Sequence, residues 1–190
     1  MTVEEIYADV AAHMIEGLMI HEQLANYYDF LGLGGYKRCH EYHYIEESVK
    51  YRGLYRYFIN HHNKLIPEKD IDAPEVIPES WYNHVREDVD TSTKKNAVRV
   101  GLTMWVDWEK KTKKFYEDMW KQLIDIGEVA SSCKIKELVK SVDKELKKAT
   151  RYLLNKEAIG YDMGAIIAEQ DKMHDKYKKK IKKEYSVNLC

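Results

Sequence analysis

Four glutamates carry most of the chemistry this sequence could perform. Glu16, Glu47, Glu109 and Glu145 each fall on or beside the apolar face of a different helical segment. A carboxylate on a buried face is costly unless it is paired or holds a metal. One such residue is commonplace, whereas one in each of four segments asks for a shared explanation. Two lysines follow at the same interval, in Glu47-Ser48-Val49-Lys50 and Glu145-Leu146-Lys147-Lys148. A protonated lysine donates hydrogen bonds and accepts none, so it can hold a carboxylate but cannot ligate a metal. Histidines offer the other chemistry. His43 precedes Glu47 by four residues with His40 one turn earlier, and His13 precedes Glu16 by three. Imidazole and carboxylate together suit iron, zinc or manganese.

The elements that position these residues follow from the punctuation of the chain. All three prolines, Pro67, Pro74 and Pro78, lie within one short stretch. Proline costs about 3 kcal/mol inside a helix, so the proline-free remainder permits long helices. Glycines cluster at breaks, at Gly32, Gly34 and Gly35, at Gly127, and at Gly160 and Gly164. Cutting there predicts helices over 3–31, 36–63, 92–126, 134–158 and 162–185, the first opened by a Thr2/Glu5 capping box. The stretch 64–91 reads as irregular, with a short helix over 80–85, and is long enough to cross the length of a bundle.

Helical spacing defines the faces. Ile6, Val10, His13, Gly17, Ile20, Leu24 and Leu31 share one. Tyr36, His40, His43, Glu47, Tyr51, Leu54 and Phe58 share the second. Val98, Trp105, Trp108, Thr112, Phe115, Met119 and Ile126 form the third, and Leu138, Val142, Glu145, Ala149 and Tyr152 the fourth. The last segment aligns Ile167, Asp171, His174, Tyr177 and Ile181. Counted from the helix ends, Glu16, Glu47, Lys50, Glu109, Glu145 and Lys148 fall within roughly 9 Å of one height in an antiparallel bundle. His13 and His43 are separated by ~16 Å along it and cannot share one centre.

This pattern resembles the ferritin-like superfamily of ferritins, bacterioferritins and rubrerythrins. The resemblance implies an all-α fold: an antiparallel four-helix bundle of two hairpins, a long crossover between helices 2 and 3 at 64–91, and a fifth helix at about 162–185. It covers nearly the whole chain, read as a single domain over 1–190. It also implies a di-iron site with one Glu from each of helices 1 and 3, matched by Glu16 and Glu109. Helices 2 and 4 of that family each supply Glu-x-x-His, matched here by Glu47 and Glu145 with Lys50 and Lys148 in place of the histidines. Two ammonium groups among four carboxylates point to a salt-bridged network where the iron would be, with no cofactor expected. The alternative is a site for iron or another divalent metal on Glu16, His43, Glu47, Glu109 and Glu145.

Composition narrows the function classes. The 190 residues carry 31 basic and 32 acidic side chains, a balance that disfavours general nucleic-acid binding. Mean hydropathy is −0.62, and no apolar run reaches the ~18–20 residues of a membrane span. The opening Met1–Glu5 lacks the basic and apolar regions of a signal peptide, so a cytoplasmic location without a membrane partner is expected. Cys39, Cys133 and Cys190 form no paired motif and read as thiols. Residues 1–109 are net −8 and 110–190 net +7, which suits docking of unlike faces. Eight tyrosines from Tyr27 to Tyr57 crowd the first hairpin, and tyrosine is enriched at interfaces, so a homo-oligomer is expected. No nucleotide-binding, hydrolase or catalytic-cysteine motif is present. The sequence therefore favours a non-catalytic structural or interaction module. A metal-binding redox or storage protein is one alternative. Another is a helical adaptor using Lys178, Lys179, Lys180, Lys182 and Lys183 on nucleic acid or an acidic partner.

Overall fold

A computed structural model describes residues 1–71, 74, 77, 85–86 and 89–185. It contains five helices: α1 (Val3–Phe30), α2 (Gly34–His62), α3 (Thr91–Asp125), α4 (Val129–Ala158) and α5 (Met163–Tyr185). Helices α1 and α2 pack as one hairpin and α3 and α4 as another. Helix α1 lies against α3, and α5 docks chiefly on α2. Among the described residues there is no strand, and no helix is long and apolar enough to cross a membrane. Of the short helix expected over 80–85, only Val85 lies within the described residues, and it is not helical.

Local chemistry accounts for the boundaries. Thr2 and Glu5 form the expected capping box: the Thr2 hydroxyl accepts from the Glu5 N–H at 3.2 Å, and Glu5 accepts in return from the Thr2 N–H at 2.7 Å. Gly32 closes the α1–α2 joint at φ 73°, a left-handed conformation that suits glycine. Helix α2 has no cap of its own. Gln170 of α5 supplies one, its Oε1 accepting from the Gly35 and Tyr36 N–H groups at 2.8 and 3.3 Å. A Cβ on Gly35 would lie 2.7 Å from the Gln170 carbonyl oxygen, so this docking requires glycine.

Helix α4 begins at Val129, five residues before the expected start. Ser131 and Ser132 look like turn residues in the sequence, yet both are buried. The Ser131 carbonyl accepts from the Tyr7 hydroxyl, and its Oγ bonds His62 Nε2 at 2.9 Å. Those partners come from α1 and α2, which local propensity cannot register.

The buried faces of α1 to α4 follow the expected stripes, except that Ile126 caps α3 and is 44% exposed. In α5 the expected face is rotated. Met163, Ile166, Gln170, Met173, Tyr177 and Ile181 point inward, while Ile167 is 58% exposed and Asp171 faces solvent. The methionine-bearing stripe carries more apolar volume than the one through Asp171 and takes the inner side. The tyrosines of the first hairpin also differ from expectation. Tyr27, Tyr28, Tyr36 and Tyr42 are core residues, and only Tyr44 of the eight is exposed. Cys39 is a buried free thiol and Cys133 an exposed one, while Cys190 lies outside the described residues.

The core divides into two apolar clusters. One holds Leu24, Tyr28, Tyr36, Leu102, Trp105 and Ala149 near the α1–α2 turn. The other holds Ile6, Val10, Met14, Leu54, Phe58, Leu123 and Ile135 toward the opposite end. On every bundle helix the carboxylate identified from the sequence falls between the two: Glu16 on α1, Glu47 on α2, Glu109 on α3 and Glu145 on α4. A polar layer thus crosses the bundle at one level, as the residue counts predicted.

Candidate metal centre

The polar layer separates into three groups. Glu16 stands apart: its carboxylate contacts His13 Nδ1 at 3.5 Å and Lys111 Nζ at 3.7 Å, and it does not line the central cavity. His13 is spent on packing. Its ring stacks between Trp108 and Phe115, and Nε2 bonds the Thr112 hydroxyl at 2.9 Å. Burial, reinforced by Lys111, lowers its pKa to about 3, so it is neutral. The His13–Glu16 pair is therefore a hydrogen-bonded core histidine beside a surface ion pair.

The second group surrounds a cavity of about 20 Å³, room for roughly one water molecule. Glu47, Lys50, Glu109 and Glu145 all line it. Lys50 Nζ donates to Glu47 at 2.7 Å and lies 3.9 Å from Glu46. Burial by itself would lower the Lys50 pKa, but the Glu47 and Glu46 carboxylates outweigh it and raise it above the ordinary lysine value. Glu109 is the deepest carboxyl, 5% exposed, and accepts from Trp105 Nε1 at 3.0 Å. Burial, with the Glu47 and Glu145 charges nearby, pushes its pKa up to about 8. At neutral pH it is mostly a neutral acid.

The third group forms around His43, which is 2% exposed. Its Nδ1 lies 3.3 Å from Glu145 Oε2 and 3.4 Å from Glu46 Oε2, and its Nε2 lies 2.7 Å from Lys148 Nζ. Neither of those two carboxylate oxygens has a hydrogen-bond partner among the described residues, and both are buried. Burial, then Lys148 and the neighbouring histidines, lowers the His43 pKa well below 6.5. The neutral ring accepts from the Lys148 ammonium at Nε2 and carries its own proton on Nδ1, toward the carboxylates.

The expected partnership of His43 with Glu47 and His40 does not form. Glu46 takes the place of Glu47, because Lys50 holds Glu47 in the cavity. Positions three and four residues on both lie on the His43 face, so spacing could not choose between them. His40 turns to His21 instead, with Nδ1 to Nδ1 at 3.0 Å, and stacks on Tyr28. His21 is a buried residue that the sequence reading did not place. It sits one position beyond Ile20, beside the stripe, and its ring stacks on His43. Burial, with Lys50 and Lys148 nearby, lowers its pKa to about 3.

No protein-family model matches this chain, and no curated protein does. Solved structures do. A humanized archaeal ferritin superposes with a TM-score of 0.74 at 15% identity, covering 90% of this chain and 94% of that one. An open pore ferritin from the hyperthermophilic archaeon Archaeoglobus fulgidus gives 0.74 at 13% identity with the same coverage. The fold is ferritin-like.

The residues of this ferritin-like bundle do not fit a di-iron centre. Where two ring ligands are expected stand Lys50 and Lys148, hydrogen-bonded to Glu47 and His43. Glu109 is engaged by Trp105, and Glu16 lies outside the group, turned to Lys111. Two cations already neutralise the carboxylates that would face the metals, and seating two more would leave four cationic groups in one buried layer.

Proposed function

We propose that this protein is a ferritin-like structural module whose bundle centre is held by an ionic network in place of a di-iron site, and that it self-associates. The observation that carries this reading is the Lys50–Glu47 hydrogen bond at 2.7 Å, with Lys148 holding His43 at the corresponding position of the second hairpin. Each lysine lies where metal chemistry would need an acceptor, and a protonated ammonium has none to offer. A connected buried network of this kind specifies one packing of the helices without adding much net stability. Self-association is supported by apolar side chains left on the surface, among them Val49 and Ile59 on α2, Leu154 on α4 and Ile167 on α5, each at least 40% exposed.

The test combines chemistry with stability. Protein exposed to ferrous iron under air is expected to show no oxidation faster than the buffer. Lys50→Ala is expected to lose roughly 2–3 kcal/mol, somewhat less than the ~3–5 kcal/mol of a fully buried pair because Lys50 keeps some solvent contact. Rapid ferrous oxidation, or a Lys50→Ala protein that melts like the wild type, would overturn the reading. Sedimentation velocity is expected to show a species larger than the 22.5 kDa chain.

A further inference from the structure

We infer that His43, Glu46 and Glu145 form a latent site for one divalent transition-metal ion of the zinc or cobalt type, distinct from the di-iron arrangement. Only Glu145 is common to the two. Glu16, Glu47 and Glu109 take no part, and neither His43 nor Glu46 lines the central cavity.

The geometry carries the inference. These three side chains bring one ligand atom each to within 4.8 Å of one another. A tetrahedral ion with bonds of about 2.0–2.1 Å places its ligand atoms roughly 3.4 Å apart. His43 Nδ1 already stands at 3.3 and 3.4 Å from the two carboxylate oxygens. The oxygens themselves are the second observation. Glu46 Oε2 and Glu145 Oε2 are buried and make no hydrogen bond among the described residues, Lys148 Nζ standing 3.6 Å from Glu145 Oε2, while the 98%-buried His43 ring aims Nδ1 between them without an aligned hydrogen bond. Buried carboxylate oxygens without a well-aligned donor are costly, and an ion bound there would satisfy both at once. One imidazole and two carboxylates, with a fourth position open to water, is a donor set that zinc and cobalt accept.

Lys148 opposes occupancy. Its ammonium donates to His43 Nε2, which fixes the ring proton on Nδ1, where the ion would bind. Binding moves that proton to Nε2 through solvent. Two donors then face each other, and Lys148 must withdraw. It has somewhere to go: its Nζ already lies 5.0 Å from the centroid of the Tyr177 ring and 5.4 Å from that of Tyr42, and its side chain keeps 17% exposure. The site is therefore competent but weakened by its own neighbour.

Cobalt(II) titration of the full chain, followed by visible d–d absorption with zinc displacement as a check, tests this directly. One equivalent is expected to bind saturably. Lys148→Met is expected to bind at least tenfold more tightly, and Glu46→Gln at least tenfold more weakly. Glu47→Gln and Glu16→Gln are expected to bind like the wild type. Thermal melts of each variant confirm that it is folded, and the tightening in Lys148→Met cannot arise from misfolding. Absence of a saturable band, binding indifferent to Glu46→Gln, or two equivalents lost together in Glu109→Gln would each overturn the inference. The ionic-core reading is judged separately, by ferrous oxidation and the Lys50→Ala melt.

Discussion

Replacing Glu109 by glutamine should remove a specific pH dependence of stability. Burial and the Glu47 and Glu145 charges raise the Glu109 carboxyl from 4.5 to about 8, so the folded protein holds a proton that the unfolded chain releases. The stabilisation from that proton is fully present below pH 4.5 and is lost as pH rises through about 8. At pH 6.5 the carboxyl lies about 1.5 units below its folded pKa, which is worth roughly 2 kcal/mol at ~1.4 kcal/mol per unit. By pH 8.5 almost all of this is gone. The buried histidines run the other way. His13 and His21, lowered to about 3, give stability that is lost as pH falls below their ordinary value near 6.5. Histidines of the unfolded chain still titrate around pH 6.5, so it is the difference between the wild type and Glu109→Gln from pH 6.5 to 8.5, in which their contribution is common, that isolates Glu109. A loss of about 2 kcal/mol in a chain of this length lowers Tm by roughly 4–8 °C. Thermal melts by circular dichroism across that window should show the wild type losing this much Tm relative to Glu109→Gln, whose stability holds or rises as the unfolded-state histidines deprotonate. Glutamine keeps an acceptor for Trp105 Nε1, so the two proteins should be close in stability at pH 6.5. Parallel curves for the two would refute the assignment of a raised carboxyl at this position.

Two further changes test how the helices are joined. Gln170→Ala removes the acceptor for two N–H groups at the start of α2 and should cost about 1–2 kcal/mol in chemical denaturation. Loss of helix–helix docking without loss of overall helicity would be its signature. Gly101→Ala places a Cβ at 2.2 Å from the Tyr28 hydroxyl oxygen and 2.9 Å from its Cζ, and should cost about 1–3 kcal/mol. Adding Tyr28→Phe should recover part of that loss. The hydroxyl has no hydrogen-bond partner among the described residues, so its removal relieves the clash at little expense.

Much of the bundle was legible in the chain because helix periodicity and breakers act locally. The clustering of Pro67, Pro74 and Pro78 and the glycine pairs marked the ends of the five helices, mostly to within two residues. The apolar stripes set the inward faces of α1 to α4. The common level of Glu16, Glu47, Glu109 and Glu145 needed only the rise per residue and the antiparallel order. Local rules failed where a distant segment decided the outcome. Helix α4 gained its first turn from Tyr7 and His62, α2 its cap from Gln170, and α5 turned its methionines inward.

The membership of the polar site belongs to this second class. The sequence placed carboxylates, lysines and histidines in one layer, since spacing along a helix determines height and face. It could not decide which of Glu46 and Glu47 meets His43, nor that Glu16 turns to Lys111 and His40 to His21. Those choices rest on competition among partners brought together from four helices. Glu47 keeps a local partner in Lys50, three residues on in α2, whereas the meeting of His43 with Glu145 and Lys148 of α4, and of Glu16 with Lys111 of α3, exists only once the helices are packed.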